Sequence, residues 1–249
     1  MNADGTNRIN LTQHNAFESY YAFSPDGSKI LFESHRDGPF ALWTINIDGT
    51  GLTKLINNGG PEQTPAWSPN GQKIAFPSYV NSVNNKTDIW VMNQDGSNPT
   101  NLTQSAEQES WPVWSPDGTK ILFAKRPSTS IPYDIDVMNA DGSNKQRLTT
   151  NSTSASYDWS PDGAKIVFQS NRDGNLEIYV MNADGSNQTR LTNSSGSDFS
   201  PKWSKDGSRI LFTSFRTGNS EVFVMNANGT GQTNLTNNAA LDDLATWQP

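Results

Sequence analysis

The chain has 249 residues, with 25 acidic and 18 basic side chains, a formal charge of -7 and only 33% hydrophobic residues. It has no cysteine and two histidines, His14 and His35, which excludes disulfides and thiolate chemistry and leaves little imidazole for hydrolysis or zinc. No apolar run approaches the ~18 residues of a membrane helix, and the acidic balance argues against nucleic acid or anionic lipid as a partner, so neither nucleic-acid binding nor membrane insertion is expected.

Met1-Asn2-Ala3-Asp4-Gly5 carries no basic start and no apolar stretch, so no secretory signal is expected in this sequence. The segment from there to Leu11-Thr12 has the pattern of the end of one strand and the whole of the next. Phe23-Ser24-Pro25-Asp26-Gly27 then opens a block that recurs as Trp67-Ser68-Pro69-Asn70-Gly71, Trp114-Ser115-Pro116-Asp117-Gly118, Trp159-Ser160-Pro161-Asp162-Gly163 and Trp203-Ser204-Lys205-Asp206-Gly207, and Trp247 begins one more. The spacing of these aromatics, 44 to 47 residues, suits a propeller blade or a pair of helices.

Local chemistry selects strands. After each turn stands a short apolar run, Ile30-Leu31-Phe32 in the first block and Ile210-Leu211-Phe212 in the last, too short and too β-prone for a helix. A third segment such as Ile178-Tyr179-Val180-Met181 ends at an Asn-x-Asp-Gly hairpin turn, and a fourth ends in Leu-Thr, as at Leu191-Thr192. These strands, A to D, make one antiparallel sheet per period. Strands B and C are apolar at successive positions, so both faces of each sheet are covered, which a radial stack achieves and a sandwich does not. The expected fold is therefore an all-β propeller of four-stranded antiparallel blades. Full repeats run at about 20–63, 64–110, 111–155, 156–199 and 200–243, with a partial blade from 1–12 and 244–249. Six blade positions with one incomplete blade shared by the termini are expected; five blades with surplus terminal strands are the alternative.

The turn Trp-Ser-Pro-Asp-Gly followed by Lys-Ile-x-Phe, then Ile-Tyr-Val-Met-Asn-x-Asp-Gly and Arg-Leu-Thr, resembles the WD-like repeat of the TolB-like bacterial propellers over essentially the whole chain. The resemblance implies a partner-binding ring. TolB carries an α/β domain before its propeller that these residues lack, so the Tol system itself is not implied, and one fold hosts many activities.

The A to B and C to D turns repeat monotonously on one face, whereas the B to C and D to A connections differ from copy to copy, which is where a specific ligand is read. Candidate binding residues there are Phe17, Tyr20, Tyr21, His35, Tyr79, Trp111 and Arg126, together with Asp136, a carboxylate where the other copies have an aromatic in strand C. Five residues before the strand A aromatics lie Glu18, Glu62, Glu109, Asp198 and Asp242. These acids gather at a channel mouth to hold a cation, or they cap their loops and pair with Arg36 or Arg216. The Asp-Gly turns lack the acid series of a calcium loop. No catalytic group and no cofactor is expected, apart from a possible cation in the channel.

The function expected is a noncatalytic scaffold that binds a protein or peptide on the variable loop face, in a periplasmic or extracellular setting. The alternatives are a subunit that assembles by strand donation into the incomplete blade, and a propeller hydrolase or carbohydrate lyase.

Overall fold

Every Ser-Pro-Asp-Gly block folds as a turn for the same reason: a hydroxyl and a carboxylate take up the main-chain groups that the reversal leaves unpaired. In the first copy the Ser24 hydroxyl donates to Asp26 Oδ1, Gly27 N–H donates to the Ser24 carbonyl, and Ser28 N–H donates to Asp26 Oδ1. Gly27 adopts φ +69°, which glycine accepts without strain. The same bonds recur around Asn70, Asp117, Asp162 and Asp206.

The turns separate twenty strands in a computed structural model that describes residues 9–57, 64–79, 86–128, 132–150, 156–242 and 246–247. Blade one is β1 (Glu18–Phe23), β2 (Lys29–Ser34), β3 (Ala41–Asn46) and β4 (Thr53–Asn57), and blade two is β5 (Ala66–Trp67), β6 (Lys73–Ser78), β7 (Asp88–Asn93) and β8 (Thr100–Asn101). Blade three is β9 (Gln108–Trp114), β10 (Lys120–Arg126), β11 (Asp134–Asn139) and β12 (Gln146–Arg147). Blade four is β13 (Tyr157–Trp159), β14 (Lys165–Ser170), β15 (Glu177–Asn182) and β16 (Thr189–Arg190); blade five is β17 (Asp198–Trp203), β18 (Arg209–Ser214), β19 (Glu221–Asn226) and β20 (Thr233–Asn234). Strands neighbour one another in chain order within each sheet, and the paired strands are antiparallel. The chain divides into two compact units, Met1–Pro112 and Val113–Pro249, with β9 spanning the division.

Burial follows the expected pattern. The Phe of each second strand is sunk in the core, and so are Trp67, Trp114, Trp159 and Trp203, which precede four of the five turns between first and second strands. In the first unit Trp67 packs among Leu31 and Leu42 of blade one and Ile74, Phe76, Trp90 and Met92 of blade two. In the second unit Trp203 likewise bridges Val167 and Ile178 of blade four to Ile210, Phe212 and Phe223 of blade five. In each unit a sheet thus hides an apolar face against its neighbour, blade one against two and blade four against five.

Glycine makes the close approach possible. A β-carbon on Gly96 of blade two would lie 2.5 Å from the Leu55 carbonyl oxygen of blade one, and one on Gly229 of blade five would lie 2.9 Å from the Leu191 carbonyl of blade four. The Leu-Thr ending has its own use: the threonine hydroxyl accepts the N–H of the third strand in blades two to five, at Ile89, Ile135, Ile178 and Val222. Leu11, from the partial N-terminal copy, packs on Phe32, Trp43 and Ile45, and the indole N–H of Trp247 donates to the Lys202 carbonyl at 3.1 Å.

In blades one, three and five the first strand begins earlier than the sequence suggests. Tyr20 and Ser200 adopt φ of +49° and +54° and sit in β-bulges, beyond which Glu18 and Asp198 return to register opposite Ser34 and Ser214. Trp111 in β9 and Thr64 just before β5 have the same left-handed backbone, at +53° and +57°. The left-handed residue thus recurs three positions before the strand A aromatic in four of the five blades. A bulky side chain in this region costs ~1–3 kcal/mol, yet two aromatics occupy it.

Candidate functional site

The bulges decide which side chains the loop face presents. The sequence suggested loops for Tyr20, Tyr21 and Trp111; the structure places them within strands, the two tyrosines in the bulge of β1 and Trp111 with a left-handed backbone in β9. Phe17 precedes β1 and is 69% exposed, Tyr21 is 77% exposed, and Tyr20 is also open to solvent. Trp111 is half-buried. His35 packs on Phe40, stands edge-on to Phe17 with ring centroids 6.4 Å apart, and donates its backbone N–H to the Phe17 carbonyl. Phe17, His35 and Phe40 thus form an aromatic cluster on blade one.

A structural equivalence explains three of the other sequence candidates. His35, Tyr79 and Arg126 each stand three residues after the core Phe of their second strand, and Asn171 and Phe215 occupy the same place in blades four and five. One backbone position on five copies of a frame therefore carries imidazole, phenol, guanidinium, amide and phenyl. Phe215 and its partner Phe199, stacked at 5.5 Å between centroids, were not singled out from sequence. The signal was the offset from Phe212, legible once the repeats are superposed.

The candidate cation ligands divide differently. Glu18 bonds Arg36 and accepts from the Thr12 hydroxyl at 2.6 Å. Asp198, with a fully buried side chain, is held by Arg216 at 2.6 Å and by the Ser214 hydroxyl at 2.5 Å. Both arginines donate Nε to the serine ending strand B and lie over the aromatic pair beneath, Phe32 and Trp43 or Phe212 and Phe223. Glu109 is buried and its main chain bonds Thr87. Asp242 accepts from the Asn238 side-chain amide at 2.6 Å. Glu62 lies outside the described residues. Of the two expected arrangements, Glu18 and Asp198 take the pairing with Arg36 and Arg216, and among the described residues no three His, Asp or Glu side chains come together as a metal would need.

Asp136 is a second correction. It lies in mid-strand opposite Phe123 and Arg147, 6% exposed, within 3.5 Å of the Arg147 guanidinium, so it belongs to the blade interior and not to the loop surface. An Arg on the adjacent strand offsets the cost of a buried carboxylate. A further set of acids, unmarked by any motif, starts the third strands. Burial alone would raise the Glu177 pKa, but the Thr192 hydroxyl, the Ser194 amide and Arg190 hold it below the ordinary carboxylate value. Asp88 and Glu221 anchor the loops after their fourth strands in the same way, through the amides of Ser105 and Asn238.

On the opposite face, a groove of about 570 Å³ lies between blades four and five and one of about 550 Å³ between blades one and two. Their walls repeat the same residues, Ser160, Asp162, Lys165 and Trp203 in one and Ser24, Asp26, Lys29 and Trp67 in the other. This face repeats its chemistry, whereas the loop face varies it.

Comparison with known families agrees with that frame: the TolB beta propeller domain matches residues 1–158 and 150–249. The chain belongs to the TolB β-propeller family. Among solved structures, a putative TolB from Agrobacterium tumefaciens is 25% identical with a TM-score of 0.72, over 90% of this chain and 82% of that one. TolB from Acinetobacter baumannii is 19% identical at the same TM-score, over 93% of this chain and 57% of its own length. An oligogalacturonate lyase in complex with manganese is 17% identical, with a TM-score of 0.71, over 91% of this chain and 68% of that one. No curated protein matches. The propeller fold is thus shared with a lyase. No helix among the described residues is long and apolar enough to cross a membrane.

Proposed function

We propose that this TolB-family propeller is a noncatalytic binding module, periplasmic or extracellular, that takes a protein or peptide segment on the loop face. The observation that carries the reading is the chemical variety at one repeated position, His35, Tyr79, Arg126, Asn171 and Phe215, together with the exposed aromatics Phe17, Tyr20 and Tyr21 of blade one. Amphipathic rings on a rigid frame give large contact area at low entropic cost. The histidines support a noncatalytic role: His14 Nδ1 accepts the Ala16 N–H, and His35 is packed by Phe17 and Phe40. The likeness to the lyase is one of fold.

Selection of a displayed peptide library on the purified chain tests the proposal. Enriched peptides are expected to lose about 2 kcal/mol, roughly 30-fold in Kd, on Tyr21→Ala or Phe17→Ala, and to keep their affinity on Lys165→Ala in the opposite face. Enrichment of peptides indifferent to both aromatic changes would move the site elsewhere.

A further inference from the structure

Arginines on the loop face follow a rule with one exception. Arg36, Arg172 and Arg216 stand four residues after the core Phe, lie over the paired aromatics of the second and third strands, and donate Nε to Ser34, Ser170 and Ser214. Each guanidinium also reaches an acceptor: Glu18, Gln188, or Asp198 together with Gln232. Blade three breaks every part of this arrangement. The equivalent residue is Pro127, the serine is Lys125, and the third-strand aromatic is Asp136.

Blade three instead carries Arg126 one residue earlier, with its guanidinium 4.2 Å from the centroid of the Tyr133 ring. Its Nε is buried and has no hydrogen-bond partner among the described residues, while the residue as a whole is half-buried. The neighbouring acids Asp134 and Asp136 are engaged by Arg147. A guanidinium that lies over a ring, is partly desolvated and has an Nε without an acceptor among the described residues is a preorganised receptor for a planar anion.

We infer that Arg126, backed by Tyr133, is the anchor for a carboxylate of the partner. The inference deepens the proposed peptide-binding function and rests on it for the identity of the partner. A planar carboxylate matches the guanidinium fork, whereas phosphate recognition gathers several arginines. The partner segment thus carries an acidic side chain or a free C-terminus toward blade three.

The test is a nitrogen–proton correlation spectrum of the full chain, following the Arg126 Nε–Hε signal and the backbone amides of Arg126 and Tyr133. Sodium acetate, sodium phosphate and sodium chloride are added at equal ionic strength. Acetate is expected to move these signals saturably and chloride is not. Arg126→Lys, which keeps the charge and loses the fork, should abolish the saturable movement of the two amides. Tyr133→Leu should weaken it roughly fivefold, with the rest of the spectrum unchanged. An equal response to chloride, a saturable response to phosphate alone, a wild-type response in Arg126→Lys, or no response to acetate would each overturn the inference. Peptides selected on the aromatic patch in the preceding experiment would survive that failure, so the two readings fall separately.

Discussion

Aspartates in the tight turns carry a pH dependence that follows from their hydrogen bonds. Asp26 and Asp206 are held down to about 2 from an ordinary value of 3.8, first by the hydroxyls of Ser24 and Ser204 and then by the Ser28 and Ser208 amides. Asp48, Asp95, Asp117, Asp141, Asp162 and Asp184 are lowered by the same kind of bond. A carboxylate whose folded pKa lies below its unfolded value stabilises the fold above the unfolded value and loses that contribution as pH falls through the folded one. The buried Asp158 and Asp198 run the other way, since burial raises their pKa values against the pull of Lys202 and the Trp203 amide on the one and of Ser214 and Arg216 on the other. Eight turn groups outnumber the two. The urea midpoint is therefore expected to stay level from neutral pH to about 4 and to fall between about 4 and 2. Asn70 performs the turn role without charge, accepting from the Ser68 hydroxyl and the Gln72 amide. Asp206→Asn should accordingly fold normally and show a shallower acid limb. An acid limb as steep as that of the wild type would remove the turn carboxylates from the explanation.

At the scale of the element, the hairpin turns separate two roles of glycine. Gly27 has φ +69° and nothing within 4 Å of where its β-carbon would lie, whereas Gly96 has φ +83° and faces the Leu55 carbonyl at 2.5 Å. Gly27→Ala should cost only the left-handed backbone penalty, ~1 kcal/mol. Gly96→Ala adds a collision with the backbone of the preceding blade and should cost at least about twice as much. Equal urea midpoints for the two variants would show that blade one yields at no cost. These turns also explain how much was legible beforehand. Strand order, sheet type and the covered middle strands follow from local chemistry, since Pro-Asp-Gly and Asn-x-Asp-Gly specify reversals by themselves. The start of the first strand was not legible, because a bulge at Tyr20 or Ser200 inserts residues without any composition mark. Partner choice was hidden for a related reason. Arg147 reaches Asp136 and Arg190 reaches Glu177 across strand registers that the sequence does not print, and Phe199 meets Phe215 only after β17 and β18 pair.

Beyond single elements, stability within each unit rests on layers between neighbouring sheets, so a defect should spread to the neighbour first. Phe212 is fully buried and packs in the layer that joins Val167 and Ile178 of blade four to Trp203, Ile210 and Phe223 of blade five. Phe212→Ala should cost ~3–5 kcal/mol. In a chain of modules that contact only adjacent modules, that loss lowers the opening energy of the damaged blade and, through the shared layer, of the one beside it. Amide exchange followed by mass spectrometry is expected to show β18 and β19 exchanging faster in the variant, β14 and β15 following, and β10 and β11 of blade three changing least. The gradient is the informative quantity. If all three blades of the second unit lost protection equally, the unit would open as one body and the layered account of its stability would be wrong; if only β18 and β19 responded, the Trp203 layer would carry no coupling between blades.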